Sequence, residues 1–197
     1  MNEFRILTVC TGNICRSPLA EQLLAASLDG LDVSVSSAGT AALIGRPMDE
    51  RAAAYSRQFG GVPDAHLARQ LTVEHLRDTD LVFALSREHR RYIVEALPRA
   101  SRFTFTLREF ARLLDTLNID DRDEIAAQPD QHARLSTLVE IAAANRGVAE
   151  RPDDPDDDDV IDPYRQDDAV YAESTRQLVP AVQSIAQTML RAAAGFE

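Results

Sequence analysis

Residues 5–19 read RILTVCTGNICRSPL, and the order of residue types in this stretch decides the fold. The apolar run over 5–9 has the composition of a buried strand, while residues 19–26, LAEQLLAA, place apolar side chains at helical spacing behind Pro18. The loop between them starts at Cys10 and holds Gly12, Asn13, Cys15 and Arg16. A strand, a short loop and a helix in succession open a parallel α/β unit. In such sheets ligands bind beyond the carboxyl ends of the strands.

The alternation continues along the chain. Residues 33–36, 81–85 and 103–105 read as further strands. Residues 51–59, 87–96 and 107–114 read as helices, the first stopped by Gly60-Gly61 and the second by Pro98. This predicts an α/β fold with a four-stranded parallel sheet, helices on both faces and a phosphate-binding loop after the first strand. One domain over 1–197 is expected. Residues 115–160 read as a helical and acidic insertion, with short helices over 124–127 and 135–144. The run RPDDPDDDD at 151–159 reads as a solvated, self-repelling, mobile loop. It lacks the glycine and spaced glutamate of an EF-hand loop, so no metal is expected there. A last helix is predicted over 170–190.

The formal charge of −11 argues against nucleic acid or an anionic membrane surface as partner. It leaves room for an anionic substrate, because screening over about 8 Å lets the local field of a site dominate. No apolar run approaches a membrane span and no basic, apolar leader opens the chain, so a cytoplasmic protein is expected. The only two cysteines, Cys10 and Cys15, share one loop and cannot staple distant segments, which favours reactive roles.

A thiol at the mouth of a helix N-terminus faces the positive end of the helix dipole and a fan of backbone N–H groups, both of which favour the thiolate. Arg16 adds a fixed charge. The same groups suit a tetrahedral dianion, with the guanidinium fork on two oxygens and the amides of Thr11, Gly12, Asn13, Ile14 and Cys15 on the rest. Gly12 is expected to take the positive φ that a curled loop needs, Asn13 tolerates such geometry, and Ser17 can donate to the sulfur. The bland readings are a buried, inert Cys10 and a Cys15 that either packs or pairs with Cys10 under oxidation. His75, His89 and His132 are given no role.

The stretch Val9-Cys10-Thr11-Gly12-Asn13-Ile14-Cys15-Arg16-Ser17 resembles the signature loop of the low-molecular-weight protein tyrosine phosphatases, C-x5-R-S with an internal G-N and a second cysteine before the arginine. Asp162-Pro163-Tyr164 resembles the loop that carries the general acid in that family. Ser37-Ala38-Gly39-Thr40 and His66-Leu67-Ala68-Arg69-Gln70-Leu71 resemble two further segments. The likeness covers most of residues 4–114 and resumes near 160. The chain departs from the family in its length and in lacking tryptophan, which leaves Leu43, Ile44 and Tyr164 as candidate pocket walls. It also carries Arg165 where animal members often have a second tyrosine.

The resemblance implies a cysteine-dependent phosphotyrosine phosphatase without cofactor or metal. Cys10 would be the nucleophile, Arg16 the clamp, Asp162 the acid and Tyr164 a wall, with Ser37 and His66 supporting Asn13. It implies a phosphotyrosine protein as substrate, with a bacterial tyrosine kinase of polysaccharide export as one candidate. An arsenate reductase using an external thiol and a non-catalytic phosphate-binding module are the alternative readings. Asp158 or Asp159 could stand in for Asp162, and only the Asp-Pro-Tyr match selects among them.

Overall fold

A computed structural model describes residues 3–150 and 152–196. Its strands are β1 (Phe4–Cys10), β2 (Val33–Gly39), β3 (Leu81–Ala84) and β4 (Thr104–Thr106). Its helices are α1 (Arg16–Ser27), α2 (Glu50–Gln58), α3 (Val73–Arg77), α4 (Arg87–Ala96), α5 (Leu107–Leu114), α6 (Ile119–Ala126), α7 (Gln131–Asn145) and α8 (Asp168–Ala194). The strands form one parallel sheet in the order β2-β1-β3-β4. β1 is therefore central, and its carboxyl end lies beside the point where the strand order reverses, the usual site of a ligand crevice.

Both faces of the sheet are covered, so the inner strands β1 and β3 are largely apolar on both sides, while the edge strand β2 alternates Val and Ser over 33–36 and is half-buried there. Phe4, Ile6, Phe83 and Phe105 point into the larger core, formed with α1, α5, α7 and α8. Leu7, Val9, Val82 and Ala84 point into a smaller core that includes Leu76 of α3 and Ile93 of α4. Phe110 of α5 meets Phe83 and Phe105 edge to face, with ring centroids 5.2 and 4.8 Å away. Such pairs add about 0.5–1.5 kcal/mol each beyond their burial, which fixes α5 against β3 and β4.

The helical stretches of 115–150 are longer than their apolar pattern predicts, because polar caps extend them. Asn118 and Asp121 form a reciprocal capping box at α6, and Asp130 Oδ1 accepts from Ala133 N at 2.9 Å at α7. A capping box of Thr72 and His75 likewise starts α3, which the periodicity does not predict.

The acidic run also differs from expectation. Pro155–Asp158 form a 3-10 turn, and although Asp153, Asp154, Asp156 and Asp157 are exposed as expected, Asp156–Asp159 face arginines and are not left to repel one another. Arg87 reaches Asp156 and Asp159, Arg112 reaches Asp158 at 3.0 Å, and Arg108 lies 3.9 Å from Asp157. A one-dimensional charge count misses this because the arginines sit more than forty residues upstream, on α4 and α5. Among the described residues no group of His, Cys, Asp or Glu is placed to hold a metal, and no helix is long and apolar enough to cross a membrane.

Candidate active site

Cys10 ends β1 and Arg16 begins α1, so the loop between them wraps the N-terminus of a twelve-residue helix. The Cys10 Sγ lies 3.0 Å from Ser17 Oγ in the first turn of that helix. The bend of the loop falls on Asn13, with φ of 54°, and not on Gly12, which lies outside the left-handed region. A Cβ at Gly12 would meet only ordinary contacts. The glycine that the loop cannot do without is Gly39, where a Cβ would stand 2.4 Å from the Thr11 carbonyl oxygen.

Asn13 is fully buried, and its side-chain amide and backbone carbonyl are engaged. Its Nδ2 donates to Ser17 Oγ at 2.9 Å and to Ser37 Oγ at 2.8 Å, and its Oδ1 accepts from Arg69 N at 2.9 Å. Its carbonyl accepts from His66 Nε2 at 2.7 Å. Ser37 Oγ donates a hydrogen bond to Glu21 Oε2 at 2.5 Å, and Arg69 Nε donates to Ser37 O at 2.7 Å. The network offsets the cost of an asparagine in left-handed geometry. Because Asn13 is the donor in their bond, Ser17 Oγ keeps its own proton for the Ala38 carbonyl at 3.4 Å or the Cys10 sulfur at 3.0 Å.

Arg16 is 6% exposed and points along the loop. Its Nη1 donates to Val160 O at 3.0 Å, its Nη2 meets Asp162 Oδ2 at 2.7 Å, and its buried Nε has no partner among the described residues. A buried, unpaired guanidinium N–H costs free energy unless an acceptor arrives, so this atom is the natural contact for an anion oxygen. Asp162 is half exposed, and its Oδ1 accepts from Tyr164 N at 3.2 Å. Asp158 and Asp159 are held by Arg112 and Arg87 instead, so of these three only Asp162 reaches Arg16.

A cavity of about 120 Å³ opens on Cys10, Arg16 and Asp162, with Ile14, Leu43 and Tyr164 among its walls. Ile44, the other wall expected from sequence, is 72% exposed and does not line it. Thr11, Gly12 and Cys15 also face the cavity, whereas Asn13, Ser17, Ser37 and His66 lie behind the loop. Cys10 and Cys15 are both free thiols. Burial pushes the Cys15 thiol up to about 12, and its sulfur lies 3.7 Å from Tyr171 OH on α8.

Several site residues had no distinct signal in the sequence. His89 sits beside the loop, with Nε2 2.9 Å from Thr11 Oγ1 and Nδ1 2.8 Å from Ser86 Oγ. Burial first, and then the nearby Arg16 charge, depress its pKa to about 3, so it is a neutral imidazole. Glu21 and the Val160 carbonyl were also missed. Arg69 was visible only as a member of the A-R-Q-L segment.

Comparison with known proteins bears on the family. The profile of the low molecular weight phosphotyrosine protein phosphatases matches residues 5–146. The low molecular weight protein-tyrosine-phosphatase Etp of Escherichia coli K12 is 43% identical over 93 residues, which are 47% of this chain and 62% of Etp. The chain thus spans about three fifths of the length of that relative. The probable low molecular weight protein-tyrosine-phosphatase EpsP of Ralstonia solanacearum is 37% identical over 137 residues, 68% of this chain and 90% of EpsP. Among solved structures, the YwlE arginine phosphatase of Geobacillus stearothermophilus superposes with a TM-score of 0.66 at 28% identity, covering 95% of this chain and 93% of YwlE. The loop, the sheet order and these matches agree, and the chain belongs to the low molecular weight phosphotyrosine protein phosphatase family.

Proposed function

We propose that this protein hydrolyses phosphotyrosine in proteins through a phosphocysteine intermediate. The convergence of Cys10, Arg16 and Asp162 on one small cavity carries the reading. The Cys10 thiolate attacks phosphorus in line with the scissile P–O bond. Arg16 Nε and the loop amides hold the equatorial oxygens as their charge grows. Asp162 gives its proton to the leaving phenolate, then accepts one from the water that cleaves the S–P bond. Ser17, donating to the sulfur at 3.0 Å, stabilises the thiolate as it departs. The ion pair between Arg16 and Asp162 gives the acid a second task. It occupies Nη2 as a carboxylate in the unliganded site, and an arriving dianion takes over that donor, so that the freed carboxylate takes up a proton from solvent and faces the leaving oxygen as the acid.

The apolar walls Ile14, Leu43 and Tyr164 suit an aryl ring better than the charged, hydrogen-bonding group of a phosphoarginine. Within this reading the substrate is a phosphotyrosine protein, with a bacterial tyrosine kinase of polysaccharide export as the first candidate. The test is hydrolysis of p-nitrophenyl phosphate by the unmutated protein and by Cys10→Ser, with and without vanadate, beside phosphotyrosine and phosphoarginine peptides. Turnover that is lost in Cys10→Ser, blocked by vanadate and selective for phosphotyrosine is expected. Vanadate binding without turnover would favour a binding module. Arsenate reduction that requires added thiol, in the absence of phosphatase turnover, would favour the reductase.

A further inference from the structure

The acidic run between α7 and α8 is connected to the cavity by an unbroken series of contacts. The Arg87 guanidinium grips Asp156 and both oxygens of Asp159, while the Arg87 backbone N–H, at the start of α4, donates to Asp159 Oδ1 at 2.7 Å. Arg108 Nη1 donates to the Asp159 carbonyl at 2.9 Å, and Arg112 takes both oxygens of Asp158 at 3.2 and 3.0 Å. The next residue, Val160, is buried. Its N–H donates to the Leu85 carbonyl at the end of β3, and its carbonyl accepts from Arg16 Nη1. Two residues later stands Asp162, on Arg16 Nη2. Arg16 is thereby held on two of its nitrogens by the chain that the arginines of α4 and α5 hold in place.

We propose that Arg87, Arg108 and Arg112 are positioning residues for the general acid, acting through the aspartate strap Asp156–Asp159. The clasp sets the height of Val160 over the loop, and Val160 in turn fixes the angle of Arg16 and the reach of Asp162. None of the three arginines lines the small cavity that holds Cys10, so their effect on turnover is indirect. The four aspartates of the strap are accordingly a counter-charge for three basic side chains. This inference rests on the phosphatase reading of the cavity.

The experiment compares kcat/KM for phenyl phosphate, whose leaving group needs a proton, with that for p-nitrophenyl phosphate, whose leaving group needs little help. The variants are Arg87→Gln, Arg108→Gln, their combination, and Arg108→Lys, each in the unmutated and the Asp162→Ala background. General acids contribute about 10²–10⁴-fold. A displaced acid should therefore cost about tenfold or more on phenyl phosphate and under about threefold on p-nitrophenyl phosphate. Arg108→Lys should restore most of the loss, and the glutamine changes should add nothing once Asp162 is alanine. Equal losses on both substrates, or full losses that persist in the Asp162→Ala background, would overturn the positioning role while leaving the phosphatase reading intact. An unmutated protein inert toward both substrates would overturn both.

Discussion

Around Cys10 the chain is held by short hydrogen bonds among buried, mostly uncharged groups, whereas Asp162 itself pairs with the buried Arg16 and the run before it is held by ion pairs between partly exposed side chains. The difference follows from what each region must do. On the proposed mechanism the loop from Cys10 to Arg16 has to present its donors in one geometry before substrate arrives, and buried hydrogen bonds fix geometry because leaving one unmade costs about 1–3 kcal/mol. In that proposed mechanism Asp162 has to release Arg16, face the leaving oxygen and later turn to water, so its support must allow motion. Exposed ion pairs contribute only about 0–1 kcal/mol each, enough in number to bias a position and too weak to lock it.

Replacing Asn13 attacks the rigid region at its centre and should have the largest effect. Asn13→Ala leaves Ser17, Ser37 and the Arg69 N–H short of a partner and puts alanine at φ of 54°. Ser17 and Ser37 keep their bonds to Cys10 and Glu21, so one orphaned N–H at about 1–3 kcal/mol and left-handed strain of about 1–2 kcal/mol give a loss of about 2–5 kcal/mol in unfolding free energy. Denaturant unfolding measures that loss. Vanadate affinity should fall with it, because the loop amides no longer converge. A stable Asn13→Ala variant with unchanged vanadate affinity would show that the loop keeps its shape without its brace.

Much of the rigid region was legible because its chemistry is compressed into adjacent residues. Cys10, Arg16 and Ser17 fall within one strand-loop-helix unit, and the sheet of four parallel strands follows from the alternation of apolar runs. The place of Asp162 beside Arg16 was legible only through the Asp-Pro-Tyr match, since nothing in its charge separates it from the aspartates just before it. The strap was misread because its meaning lies in arginines on other elements. A local charge run looks self-repelling until long-range contacts are known. Gly12 was misread for a different reason: glycine suggests positive φ, but here the bend was taken by Asn13, whose side chain has partners enough to hold it.

His89 stands where the two regions meet, touching Thr11 on the loop and Ser86 before α4, and it tests the boundary by pH. Its pKa falls from 6.5 to about 3 on folding, chiefly by burial and secondarily through Arg16. A depressed histidine pKa means that the unfolded chain binds the proton more readily. The stability it confers is fully present above about pH 6.5 and is lost progressively as the pH falls toward 3. Over that window this residue should contribute a slope of up to about 1.4 kcal/mol per pH unit. In His89→Gln, urea unfolding measured from pH 7 to pH 4 should show a shallower acid slope than in the unmutated protein. Identical slopes would mean that His89 titrates freely and that the loop opens to water on this side.

The smallest expected effect separates the two regions by salt. Raising the ionic strength from 0.1 to 1 M shortens the Debye length from about 10 to about 3 Å. The buried hydrogen bonds around Asn13 are indifferent to this, while the half-exposed pairs of Arg87 with Asp156 and Asp159 are screened. Attraction of the phosphate dianion to Arg16 weakens as well, but equally for every aryl phosphate. The ratio of kcat/KM for phenyl phosphate to that for p-nitrophenyl phosphate cancels this common loss and reports the acid alone. It should fall by about two- to threefold across the salt range in the unmutated protein, since the pairs at stake carry about 0–1 kcal/mol each. In Asp162→Ala the ratio should stay flat. A ratio flat in both proteins would mean that the backbone bonds of Val160, to Leu85 and to Arg16, hold the acid without help from the charges around it.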